Sequence, residues 1–176
     1  MANTKWVIDP AHSEIGFKVK HMMFTNVSGK LQNFNVLIET NVDIFENAKV
    51  EFDGAIDSLT TNNADRDAHL LGPDFFDAGQ FPLVTFEATS FKRQDEVNYK
   101  LTGDLTLKGI TKQVTFDTEF SGLLKDPWGT IKAGFIISGK INRKEWGLTY
   151  NSALDGGGVL IGDEVRLDIE LQFIKQ

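Results

Sequence analysis

Asp9, His12 and Ser13 place a carboxylate, an imidazole and a hydroxyl within five positions of one another, the side-chain set of a hydrolytic triad. Their spacing argues against that use. His12 and Ser13 are adjacent, and neighbours on an extended segment point to opposite sides, away from the hydrogen bond that activates a nucleophile. No G-x-S-x-G elbow is present. A turn fixed by His12 is the favoured reading, and a hydrolase or other enzyme acting on a lipid-like substrate is the alternative. His12, His21 and His69 stand far apart, without the HExxH or close-paired spacing of a metal site, so neither metal nor cofactor is expected. Gly156-Gly157-Gly158 with Gly162 lacks the following helix and the lysine of a nucleotide loop, and reads as a hairpin. Arg143, between Asn142 and Trp146-Gly147, suits either an anionic head or the carbonyls of a tight turn.

The elements that must carry these groups are strands. In 14–20, Ile15, Phe17 and Val19 alternate with Glu14, Lys18 and Lys20; in 27–40, Phe34, Val36 and Ile38 share a side. The same period of two runs through 48–57, 83–92, 97–108, 113–123, 130–142 and the last strand, where Val165, Leu167, Ile169, Leu171 and Phe173 oppose Arg166, Asp168, Glu170 and Gln172. One stretch differs. Around 62–78 a short helical run, Asp65 to Leu71, stops at Gly72-Pro73, and Asp74 is placed to cap a second turn over Phe75 and Phe76. This stretch is expected to cover an opening, with Phe75 and Phe76 as gate or plug.

The chain of 176 residues reads as a single domain. Its net charge of −7, with both signs interleaved, argues against nucleic acid, which demands clustered cations. No apolar run is long enough for an integral membrane span, and no cysteine is present. The opening MANTKW lacks the apolar core of an export signal, so the expectation is a cytoplasmic protein.

About eight long strands joined by turns predict an all-β chain, an elongated eight-stranded antiparallel barrel. Such a barrel is either filled with side chains or holds one small ligand. The inward parity mixes Phe17, Phe52, Phe86, Phe116 and Phe135 with Ala48, Gly54, Ala88, Gly103, Ala133 and Gly139. The small residues leave room for a pocket, unless the glycines mark bends and the phenylalanines fill the gaps. A pocket would be lined by Phe17, Val19, Phe52, Phe86, Leu101, Leu105, Phe116, Phe135 and Ile137, with Phe75, Phe76 and Arg143 at the mouth. Thr118 and Tyr99 are among its few polar groups. A filled barrel would act through its surface on a partner.

Several motifs then line up in order: Trp6-Val7-Ile8-Asp9-Pro10-Ala11-His12-Ser13, Ser28-Gly29-Lys30-Leu31, Asp67-Ala68-His69-Leu70, Asp74-Phe75-Phe76-Asp77, Gly103-Asp104-Leu105-Thr106, Ile141-Asn142-Arg143 and Ile161-Gly162-Asp163-Glu164-Val165. Together they resemble the YceI-like family of lipocalin-like polyisoprenoid-binding proteins, over nearly the whole chain. The resemblance implies an extended barrel that binds or carries, without catalysis, a long-chain isoprenoid or similar amphiphilic lipid, often as a homodimer. It also implies a polar or phosphorylated head, for which Arg66, Arg143 and Lys144 are the cations placed near the barrel ends.

Overall fold

Alternating apolar and polar residues force each strand to bury one face, and eight such strands with a common dry face close on themselves. A computed structural model of the chain describes residues 3–155, 157 and 159–176. It contains β1 (Asn3–Ile8), β2 (Glu14–His21), β3 (Thr25–Leu31), β4 (Phe34–Asn41), β5 (Ile44–Ala55), β6 (Leu59–Thr60), α1 (Ala64–Leu71), β7 (Leu83–Arg93), β8 (Asn98–Leu107), β9 (Ile110–Lys125), β10 (Ile131–Asn142) and β11 (Ile161–Lys175). The described strands merge into eight staves of an antiparallel barrel, because three staves are broken. β1 and β2 both pair with one edge of β11. β3 and β4 form the next stave, β5 and β6 the third, and β7 to β11 follow as a meander. The β1–β11 ladder closes the ring.

The breaks lie side by side in register. At Pro10–His12 a 3-10 turn interrupts the first stave, and the Ser13 hydroxyl, 3.0 Å away, accepts the Gln172 amide that loses its ladder partner there. The second break, at Gln32 and Asn33, is tied to the third by Ser58, whose hydroxyl accepts the Asn33 amide at 2.9 Å. Beyond the breaks β6 pairs only with β3, through Lys30↔Thr60 and Leu31↔Leu59. The wall between β6 and β7 is therefore completed by α1 and the segment 72–82 rather than by a ladder.

The expected short helix is present, but Asn63 opens it: its side chain accepts the Arg66 amide at 3.0 Å, with Asp65 and Asp67 in the first turn. The second short turn, over Phe75 and Phe76, is present at residues 73–76. The correction is its cap: the Asp74 carboxylate is engaged by His69 Nε2 at 2.9 Å. The glycine hairpin falls partly on residues 156 and 158, outside the described residues; beside it, Ala153 and Val159 form an antiparallel bridge.

Two halves divide the interior. Towards the end carrying the β4–β5, β7–β8 and β9–β10 hairpins, Trp6, Phe45, Phe91, Tyr99, Phe120, Phe135 and Phe173 pack together. Ring centroids are 5.1 Å apart for Trp6–Phe45, 5.1 Å for Phe45–Phe135 and 5.2 Å for Phe120–Phe135. A bulge at Ala88/Ser90 shifts the β7–β8 register and turns Phe91 inward into this plug, and a second, at Gly134/Phe135, shifts the β9–β10 register. The buried Trp6 indole donates to Thr40 Oγ1 at 3.1 Å. Towards the other end the interior opens.

Candidate functional site: an apolar cavity under a helical strap

The open half holds a cavity of about 510 Å³, within the range of small-molecule sites. Its depth is set by Phe17, Val19, Phe52, Phe86, Leu101, Leu105, Phe116 and Ile137, all on its wall. Phe135 is the exception and a correction: it sits below the cavity, in the aromatic plug. Alternation fixed which side of β10 it faces but not how far along the barrel it lies. Thr118 is also below, beside a void of about 20 Å³, its buried hydroxyl without a hydrogen-bond partner among the described residues. Tyr99 is buried against Phe91, with ring centroids 4.8 Å apart.

The inward glycines do not open the cavity by being empty. A Cβ on Gly103 would stand 2.5 Å from Phe86 Cζ, one on Gly139 2.3 Å from Phe116 Cδ1, and one on Gly29 2.3 Å from Phe17 Cζ. Each glycine is the bed on which a ring from the neighbouring strand lies. The ring thus stays against the wall instead of projecting across the lumen, so both readings of the small residues hold in part.

At the mouth the wall turns polar. Phe75 is buried, with His69 and Tyr150 ring centroids each 5.0 Å from it; Phe76 is half-buried beside it, and both line the cavity. Arg66 also lines the cavity, with Nε donating to Thr61 Oγ1 at 2.8 Å and a terminal nitrogen donating to the Thr61 carbonyl at 2.9 Å. Arg143 lines the cavity at 4 % exposure. Its guanidinium donates to the carbonyls of Gly162, at 2.8 Å, Leu148 and Ile161. Burial pushes its pKa down, and the Asp163 carboxylate opposes that shift. The carbonyl-bonded role weighed for Arg143 is thus met in the same side chain that borders the cavity. Lys144 lies outside, 3.4 Å from Asp163.

The ionisable wall side chains are Lys20, His21, Arg66, His69, Arg143 and Tyr150. None is a carboxylate, in a chain with 25 acidic residues and 18 lysines and arginines. The wall roles of His69, Tyr150 and Thr61 were not among the residues expected at the mouth. Arg66, His69 and Leu70, at helical spacing, share a face of α1, a signal the sequence carries; Tyr150 lies in irregular chain, where no periodicity marks it.

The hydrolytic group is dispersed. His12 Nδ1 lies 2.9 Å from Asp9 Oδ2 on the outside of the barrel, while Ser13 Oγ faces the Gln172 backbone. Burial raises the Asp9 pKa, but the His12 hydrogen bond and the charges of His12 and Lys132 outweigh it and hold the carboxyl below its ordinary value. No cluster of three metal-binding side chains occurs among the described residues, and no helix there is long and apolar enough to cross a membrane.

Against known proteins, the chain is 38 % identical over 171 residues to a UPF0312 protein of Staphylococcus aureus, covering 97 % of each. The Campylobacter jejuni YCEI protein superposes with a TM-score of 0.76 at 32 % identity, covering 96 % of both chains. Burkholderia cenocepacia BcnA superposes at 0.81 with 20 % identity over 94 % of this chain and 98 % of that one. A polyisoprenoid binding domain from Saccharophagus degradans does so at 0.68 with 11 % identity over 98 % of each. These last two likenesses establish a shared fold. The model of the YceI-like domain matches residues 6–173, and the chain belongs to the YceI-like family.

Proposed function

We propose that this protein binds and carries a long apolar lipid, of isoprenoid or similar amphiphilic type, without performing chemistry on it. The observation that carries the reading is the cavity of about 510 Å³ with an aliphatic and aromatic floor. At roughly 30 Å³ for a water-sized group, it has space for on the order of fifteen methylenes. At about 0.8 kcal/mol per buried methylene, burial alone supplies affinity even after the cost of ordering the chain. Basic groups at the mouth, with no carboxylate among the described cavity-lining residues, favour a ligand whose outer end is polar or anionic. The name of the Saccharophagus degradans domain, polyisoprenoid binding, agrees with this ligand class.

Native mass spectrometry of the purified protein tests the reading. A co-purifying long-chain lipid is expected, and Leu101→Trp, which fills the floor, should lose it while still melting cooperatively. Empty wild-type protein that also fails to take up added prenyl or acyl lipids would overturn it.

A further inference from the structure

The mouth has one edge unlike the rest. β2 and β3 end in a turn made of Met22, Met23 and Phe24, which are 41, 55 and 83 % exposed. Lys20 and His21, at the end of β2, line the cavity itself. A contiguous apolar tip therefore stands in water at the opening of an apolar lumen. Met22 and Met23 have φ of 51° and 66°, the left-handed pair that hairpin turns ordinarily give to Asn-Gly. A side chain with a Cβ resists this backbone. Folding alone gives no reason to place two methionines there.

The charge around the tip is also distinctive. Positions 15–38 hold Lys18, Lys20 and Lys30 and no Asp or Glu, in a chain of net charge −7. Lys18 and Lys20 are exposed. The strap across the mouth is acidic by contrast, with Asp65, Asp67, Asp74 and Asp77 against Arg66. The β2–β3 tip is therefore apolar with cations beside it, and the strap is anionic; Asp163 and Glu164, in the β11 bulge opposite Lys20, are paired with Lys144 and Lys140.

We propose that the Met22-Met23-Phe24 tip docks on the surface of an anionic lipid bilayer. Its side chains enter the headgroup layer, Lys18 and Lys20 face the phosphates, and the cavity mouth is set where a lipid tail crosses. The proposal rests on the lipid-binding reading above. A second protein is the poorer occupant, since a stable interface takes roughly 800 Å² from each side, more than three residues on a two-stranded tip offer. Interfacial docking needs only a few apolar side chains beside cations.

Co-sedimentation with vesicles of phosphatidylcholine containing a minority of phosphatidylglycerol tests this. Wild-type protein should sediment with them, and less so at high salt. Met23→Ser with Phe24→Ser should lower partitioning roughly tenfold or more, and Lys18→Gln by a smaller factor. Met22→Asn with Met23→Gly should also lose docking while raising thermal stability, because it supplies the favoured turn residues; loss there is not unfolding. Trp128→Ser, at a β9–β10 hairpin residue 86 % exposed at the far end, should sediment as wild type. Equal sedimentation of wild type and tip variants, equal loss with Trp128→Ser, or a dimer that the tip substitutions dissociate would each overturn the proposal. A fluorescent long-chain fatty acid offered from solution separates the two readings: tip variants should bind it as wild type does. Vesicle docking without probe uptake leaves the tip standing and sinks the cavity's role; uptake without docking does the reverse.

Discussion

At the scale of single residues, the cavity depends on glycines paired with rings. Gly103 and Gly139 differ in what a methyl group would meet. At Gly139 the obstacle is the Phe116 ring, which has an open lumen to swing into; at Gly103 it is the Glu87 carbonyl oxygen, 2.4 Å away, as well as Phe86. Gly103→Ala must move backbone and should cost about 1–3 kcal/mol in thermal or denaturant unfolding. Gly139→Ala should cost less in stability but lower lipid affinity, because the displaced ring occupies ligand space; equal stability costs would contradict this assignment. The inward side of these residues was legible from alternation, and so was the wall position of Phe17, Phe52, Phe86 and Phe116. That Phe135 belongs to the plug was not, because period two tells face and not height, and height depends on bulges and closure. Nor was it legible that the glycine space is taken by rings, since that requires the cross-strand register.

At the scale of elements, the strap is held by few bonds. Asp67 on α1 accepts the Thr61 amide at 2.8 Å and the Thr61 hydroxyl at 2.6 Å, with Thr60 Oγ1 at 3.3 Å. Burial raises its pKa, but the hydrogen bonds from Thr61 and Thr60 and the Arg66 charge outweigh it, so the folded value lies below the ordinary one. A depressed carboxyl pKa stabilises the folded strap above the unfolded value of roughly 3.9 and loses that contribution as pH falls through the lower folded value. Amide exchange in α1, taken relative to its acid-slowed intrinsic rate, should therefore quicken on acidification below about pH 4, before the plug strands respond. Asp67→Ala should quicken it at neutral pH, and unchanged exchange in that variant would show that the strap is held by its apolar face alone. Gly72-Pro73 and the break in alternation made the strap visible in the sequence. Its true start at Asn63 and the His69–Asp74 contact were hidden, because capping choice between neighbouring polar residues is decided by where β6 delivers the chain.

At the scale of the whole molecule, the barrel places its packed aromatic plug and its cavity at different ends. The plug packs the aromatic residues, and the breaks near Pro10, Asn33 and Ser58 release the other end from full ladder pairing. Thr40→Val leaves the buried Trp6 N–H without its acceptor. It should destabilise the fold by about 1–3 kcal/mol while leaving lipid affinity unchanged, since neither residue lines the cavity; a parallel loss of affinity would mean that the two ends are coupled. The eight-stave closure could be anticipated from strand number and shared dry face. Its division into a filled and a hollow half could not, since both halves carry the same alternating pattern.

The most direct test of the central claim is calorimetric binding of a chain-length series of saturated acyl and prenyl lipids with one common anionic head. Affinity is predicted to rise by roughly threefold to fourfold per added methylene, the equivalent of about 0.8 kcal/mol, until the lumen is filled, and then to level off. Affinity that is independent of chain length, or absent at every length, would contradict a cavity built to hold an apolar chain.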